Sequence, residues 1–153
     1  MANTYTQIYI QVVFAVKGRQ SLIRKEFKDE LYKYIAGIIR KQNQKLLAIN
    51  GMSDHVHIFF GMEPDIRLSD LVRDIKANSS KFINDKKSVR GKFNWQVGYG
   101  AFSYSQSQKD SVIKYIMNQE KHHAKRTFKE EYLELLRRFE INYNEKYLFE
   151  WIE

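Results

Sequence analysis

Asp54-His55-Val56-His57-Ile58-Phe59-Phe60 is the stretch on which the reading of this chain turns. In an extended strand, successive side chains point to opposite faces. His55 and His57 therefore project together on one side, while Val56, Ile58 and Phe60 enter a core on the other. Two neutral imidazoles side by side on a stiff strand make half of a metal site. An amphipathic strand carrying two ordinary histidines has the same pattern, so His-x-His alone leaves both readings open.

On the N-terminal side, strict alternation from Tyr5 to Val16 predicts a first strand, with Ile8, Ile10, Val12, Phe14 and Val16 on one face and Gln7, Tyr9 and Gln11 on the other. After a turn at Lys17-Gly18-Arg19-Gln20 the spacing becomes helical through Phe27, Leu31, Tyr34, Ile35 and Ile38, and Gly37 within that helix suggests close packing. Lys45 to Asn50 reads as a second strand, joined to the histidine strand through Gly51-Met52-Ser53. The histidine strand ends at Gly61, and a second helix over 67–84 turns Leu68, Leu71, Val72, Ile75, Ser79 and Phe82 inward.

A fourth strand is expected within 93–103, with Gly98 and Gly100 on one face, open to close approach of a backbone or a nucleotide. Ser107 and Asp110 have the spacing of a capping box that opens a third helix. Thr127 and Glu130 open a shorter helix bearing Tyr132, Leu135, Leu136 and Phe139. The aromatic tail, with Tyr143, Tyr147, Phe149 and Trp151, is expected to pack back on the domain.

The order strand, helix, strand, strand, helix, strand predicts an α+β fold: a ferredoxin-like split β-α-β antiparallel sheet with helices on one face and an extra C-terminal helix. The first strand and the histidine strand are then central neighbours. Tyr9 and Gln11 would flank the histidines on an open face where a single-stranded nucleic acid could lie.

Composition narrows the function. The 153 residues fit one domain, and 43% hydrophobic content argues for a folded core. A net charge of +8 and a pI near 9.5 favour a polyanionic partner. Ten Tyr and ten Phe supply rings that stack unpaired bases as well as build a core. The absence of cysteine excludes disulfides, zinc ribbons and thiol nucleophiles. No stretch has the pattern of a signal peptide or a membrane span, so a soluble, cytoplasmic protein is expected. Arg73 and Lys76 on the second helix, with Lys86, Lys87, Arg90 and Lys92 in the following loop, form either a phosphate-contacting run or a solvated face.

The other half of the site lies on the third helix. Val112, Ile113, Ile116 and Met117 form its apolar stripe, whereas Tyr115, Gln119, His122 and Arg126, spaced by four, three and four, share a polar face. A glutamine carbonyl oxygen is a workable third ligand beside two imidazoles, above all for Mn²⁺ or Mg²⁺, and Tyr115 one turn away would sit next to that ion.

His55-Val56-His57 followed by Tyr115-Ile116-Met117-Asn118-Gln119 resembles the HUH endonucleases with a single tyrosine. Among these the chain is most similar to the small transposases that move the simplest bacterial insertion sequences as single-stranded DNA. Their relatives associated with repetitive extragenic palindromes belong to the same group. The resemblance spans 5–126, leaving 127–153 as an extension of a single 1–153 domain, and it includes Trp95-Gln96 and the stretch Gly98 to Ser103. Relaxases place the tyrosine ahead of the histidines, and replication initiators usually carry lysine where this chain has Gln119.

The resemblance implies that His55, His57 and Gln119 hold one divalent ion, Mg or Mn. Tyr115 would attack a DNA phosphate, leaving a 5′-phosphotyrosine and a free 3′-hydroxyl, and a second 3′-hydroxyl would reverse the step without ATP. It further implies single-stranded DNA with hairpins as substrate, and a homodimer in which each tyrosine helix completes the partner's histidine site. Gly98, Gly100 or the segment 103–108 would serve as the hinge. The DNA-contacting residues expected are Tyr9, Gln11, Arg73, Lys76, Lys86, Lys87, Arg90, Lys92, His122 and Arg126. The alternative is a non-catalytic single-stranded nucleic-acid-binding module on the same sheet, with Tyr9 stacking bases. Other histidine phosphoesterases need further ligands or repeats that are missing around Phe59 and Phe60.

Overall fold

Alternating apolar runs become four strands in the computed structural model, which describes residues 3–148. They are β1 (Tyr9–Ala15), β2 (Lys45–Met52), β3 (His55–Gly61) and β4 (Gly100–Tyr104). Five helices accompany them: α1 (Lys25–Lys41), α2 (Leu68–Asp85), α3 (Lys109–Met117), α4 (Gln119–His123) and α5 (Phe128–Arg138). The sheet is antiparallel throughout, in the order β2-β3-β1-β4. This is the expected ferredoxin-like arrangement, with β1 and the histidine strand at its centre.

One face carries Val12 and Phe14 of β1, Val16 just beyond it, and Val56, Ile58 and Phe60 of β3, packed against α1 and α2 in the main core. The opposite face is covered as well. Val13, Ala15 and Phe102 pack against Phe128, Tyr132, Leu135 and Leu136 of α5, while Ala48 and Phe59 pack against Val112 and Ile116 of α3. The face expected to be open to nucleic acid is therefore roofed by α3–α5, and His55 and His57 are wholly buried. The pairing register places Ala15 and Val13, rather than Tyr9 and Gln11, directly opposite His55 and His57.

Several local expectations change. The chain turns at Ser53-Asp54, and Gly51 lies inside β2, where a Cβ would fall 2.2 Å from the His55 carbonyl oxygen. Gly37 faces open space, so close packing does not explain it. The fourth strand starts only at Gly100: Gly98 adopts φ +94°, and Trp95 turns into the core to donate to Ser79 Oγ at 2.9 Å. Gly100 is approached by Tyr132 rather than by a nucleotide, so it is packed and not a free hinge. Ahead of α3 the capping pair is Ser105 and Gln108, with the Ser105 amide donating to Gln108 Oε1 at 3.0 Å, not Ser107 and Asp110. The Thr127–Glu130 box forms as expected. Met117 ends its helix 56% exposed, outside the apolar stripe. Tyr143 and Tyr147 are exposed rather than packed back, and Phe149 and Trp151 lie outside the described residues.

Candidate functional site

Because β3 is paired on both sides, the two imidazoles are held at a fixed spacing, with ring centroids 5.2 Å apart. Each is also held from behind. His55 Nδ1 lies 2.8 Å from Asp54 Oδ1, and Phe128 stacks on the ring at 3.9 Å. His57 Nδ1 lies 2.9 Å from Gln11 Nε2, and the Tyr104 hydroxyl donates to Gln11 Oε1 at 2.7 Å. Burial raises the Tyr104 phenol to about 12, which keeps it a donor. The Asp54 contact holds the His55 proton on Nδ1 and leaves Nε2 free to bind a metal, and the Gln11 contact holds the His57 ring in place. Gln11 is thus a buried support for His57, not the surface DNA contact expected of it.

The Nε2 atoms of both histidines point at the layer above. There α3 breaks at Asn118 and resumes as α4, and Asn50 of β2 secures the break by donating to the carbonyls of Ile116 (3.0 Å) and Met117 (3.3 Å). Gln119 is buried beyond it, its Oε1 3.2 Å from His55 Nε2. Tyr115 sits over His57, with ring centroids 6.2 Å apart, and His122 stacks on it at 4.4 Å. Arg126 donates to the Tyr115 hydroxyl at 3.1 Å.

At the centre is a residue that the sequence reading did not pick out. Glu131 of α5 is fully buried. Its Oε1 lies 3.0 Å from His57 Nε2, 3.2 Å from His123 Nε2 and 3.6 Å from His55 Nε2. Its Oε2 accepts from Gln119 Nε2 at 3.1 Å and from the Tyr115 hydroxyl. Burial alone would raise its pKa, but attraction to His57 and hydrogen bonds from His123 and His57 hold the carboxyl far below its ordinary value. Burial lowers His55, favouring a neutral imidazole, and burial together with the Glu131 charge raises the Tyr115 phenol. One ligand atom each from His55, His57 and Glu131 lie within 4.8 Å of one another. Imidazole nitrogen, carboxylate oxygen and amide oxygen form a donor set that suits Mn²⁺ or Mg²⁺.

A sheet-borne histidine pair meeting a helix-borne tyrosine is what the sequence resemblance requires, and the match to known families extends it. The family model described as "Transposase IS200 like" covers residues 4–119. The chain belongs to the IS200-like transposase family. Over 118 residues it is 23% identical to the ISDra2 transposase TnpA of Deinococcus radiodurans, which spans 74% of this chain and 84% of that protein. A crystal structure of a transposase from D. radiodurans R1 superposes with a TM-score of 0.63 at 22% identity, covering 76% of this chain and 94% of its own. A REP-associated tyrosine transposase bound to a REP hairpin gives 0.61 at 16% identity, covering 79% and 72%.

Within this transposase one chain by itself gathers Tyr115, His55, His57 and Gln119, so the tyrosine helix of a partner is not needed to bring them together. His122 and Arg126 also reach the site. Apart from Gln11, which backs His57, the other expected DNA contacts do not. Tyr9 is half-buried, tilted against Phe59 at 6.0 Å. Arg73 pairs with Asp70 and Asp74, Lys86 with Glu30, and Lys76 donates to the carbonyls of Gln96 (2.7 Å) and Gly98 (2.6 Å). Arg73, Lys76 and Lys86 thus belong to the α2 layer behind the sheet. Lys87, Arg90 and Lys92 lie exposed in the loop that follows. No described helix is long and apolar enough to cross a membrane.

Proposed function

We propose that this transposase cuts and rejoins single-stranded DNA through a covalent 5′-phosphotyrosine at Tyr115, with the reaction built within one chain. The observation that carries the reading is that Tyr115, both histidines and Gln119 converge on a single buried carboxylate. His55, His57 and Gln119 would hold a divalent ion, Mg or Mn, which when bound polarises the scissile phosphate and offsets the charge that develops in the transition state.

The remaining work belongs to side chains. Tyr115 Oη forms the new bond to phosphorus as the bond from phosphorus to the 3′-oxygen breaks. The hydrogen bond to Glu131 Oε2 orients the phenol, whose proton passes to solvent at the half-buried mouth as the new bond forms, and the departing 3′-oxygen takes up a proton from solvent. Arg126, beside the Tyr115 oxygen, favours negative charge there, and with His122 it would hold the DNA backbone at the half-buried mouth of the site. Attack by another 3′-hydroxyl reverses these bonds and releases Tyr115. The exposed Lys87, Arg90 and Lys92 would contact flanking phosphates. By likeness to the hairpin-bound tyrosine transposase, the substrate proposed is a hairpin-bearing single strand, met in the bacterial cytoplasm. The covered sheet face argues against a binding module that stacks bases on Tyr9.

The test is incubation with 3′-end-labelled hairpin-bearing single strands and Mn²⁺, followed by denaturing electrophoresis. A labelled protein–DNA adduct is expected, lost in Tyr115→Phe. Cleavage that persists in Tyr115→Phe refutes the role of this tyrosine.

A further inference from the structure

We propose that Glu131 is itself a ligand of the metal centre, one carboxylate oxygen binding the ion and the other holding Tyr115 beside it. This rests on the reading that His55 and His57 hold a divalent cation. The match to the transposase family ends at residue 119, so it assigns nothing to α5.

The argument begins with lone pairs. His55 Nδ1 faces the Asp54 carboxylate at 2.8 Å, which accepts the ring proton there and leaves Nε2 as a bare lone pair. That lone pair points at two more acceptors, Gln119 Oε1 at 3.2 Å and Glu131 Oε1 at 3.6 Å. The Gln119 amide cannot relieve the conflict by turning over, because its Nε2 donates to Glu131 Oε2 at 3.1 Å. Three electron-rich atoms thus converge without a hydrogen between them, and a cation resolves that arrangement.

The charge of Glu131 points the same way. A buried carboxylate requires a paired cation or a bound metal. Among the described residues its ion-pair partners are His55, His57 and His123, and no lysine or arginine pairs with it. Arg126, the cation closest to this cluster in the hydrogen-bond network, spends its contacts on Glu134 and the Tyr115 hydroxyl. A carboxylate is also a stronger ligand than an amide for the hard cations expected here. Glu131 then joins ion and nucleophile through one rigid group: Oε1 lies among the histidines, and Oε2 receives the Tyr115 hydroxyl.

The experiment follows Mn²⁺ binding to the full-length, chelator-treated protein by the EPR signal of the free ion. Wild type, His57→Ala and Glu131→Gln are compared, with circular dichroism to confirm folding. Glu131→Gln is expected to weaken binding by more than about 100-fold, beyond the roughly 10–100-fold that losing an outer-shell contact costs. Binding by Glu131→Gln within about twofold of wild type, alongside a weakened His57→Ala, would overturn the role of Glu131 and leave the histidine site standing. Failure of wild type to bind Mn²⁺, or undiminished binding by His57→Ala, would instead sink the metal reading beneath it. If Glu131→Gln does not fold, anomalous scattering from Mn²⁺-soaked wild-type crystals decides. A peak bonded to Glu131 and the histidines supports the inference, and one bonded to the histidines without Glu131 refutes it.

Discussion

Gly100→Ala tests whether α5 is seated as tightly as the site requires. Gly100 pairs with Val13 in the sheet, and Tyr132 of α5 lies directly over it. An added Cβ would fall 2.6 Å from the Tyr132 hydroxyl oxygen, 2.9 Å from Cε1 and 3.1 Å from Cζ, well inside the 3.4 Å at which ordinary contact begins. The ring has little room to retreat, since Tyr132 is 5% exposed among Val13, Ala15, Phe102, Phe128, Leu135 and Leu136. Overpacking of this kind costs about 1–3 kcal/mol, which for a chain of this size lowers the Tm by about 3–10 °C. Moving Tyr132 also moves Glu131, the adjacent residue, away from His57, so Mn²⁺ affinity falls with stability. Adding Tyr132→Phe removes the nearest clashing atom and should restore part of both losses, seen as a coupling of about 0.5 kcal/mol or more in a thermal double-mutant cycle. A Tm for Gly100→Ala within about 1 °C of wild type, with Mn²⁺ binding unchanged, would refute the claim that α5 is locked over the strand.

Other consequences are equally open to measurement. Buried His55 titrates below its ordinary 6.5, so as pH falls beneath 6.5 the unfolded chain takes up the proton first and stability declines. Glu131, held far below its ordinary 4.5, contributes stability that is present above 4.5 and lost as pH falls further. Thermal melts should therefore fall steadily from neutral pH into acid, and a flat profile from pH 7 to pH 3 would contradict both assignments. Gln11→Leu removes the support behind His57 and should weaken Mn²⁺ binding by about tenfold while the far-UV spectrum stays native; unchanged affinity would show that His57 does not need it. Asn50→Ala frees the carbonyls of Ile116 and Met117 and should cost about 1 kcal/mol in denaturant melts, with slower formation of the DNA adduct. A mixture of Tyr115→Phe and His57→Ala chains should recover no cleavage, whereas restored activity would require sites shared between chains.

Much of this was legible in the chain. Alternation sets the faces of β1 and β3, and spacing puts Tyr115 and Gln119 on one helix face, while their meeting with the histidines is what the family resemblance implies. What escaped depends on the layer above the sheet. Glu131 looks like one more charge in the acidic stretch Glu130-Glu131, yet it lies three residues after Phe128 and four before Leu135. That spacing puts a carboxylate on the apolar face of α5, and this was the available signal. Gln11 read as a surface residue because alternation gives its face but not whether that face is covered. Met117 fell off the buried stripe because the helix stops at Asn118, and the apolar period says nothing of where a helix ends when no Gly or Pro marks it. The fourth strand is shorter than its composition suggests because Phe93 and Trp95 mimic strand residues while filling the core beside Phe14.

The division of the site between the sheet and the helices laid across it separates two properties. The imidazoles belong to a central strand bonded on both edges, whereas Tyr115, Gln119 and Glu131 arrive on three successive helices joined by short segments. Variation in those segments retunes how the nucleophile meets the ion and leaves the imidazoles where they are. A library randomised at Asn118, Ala124 and Lys125, the joining positions that hold no site side chain, would thus explore new cutting preferences on an unaltered chassis.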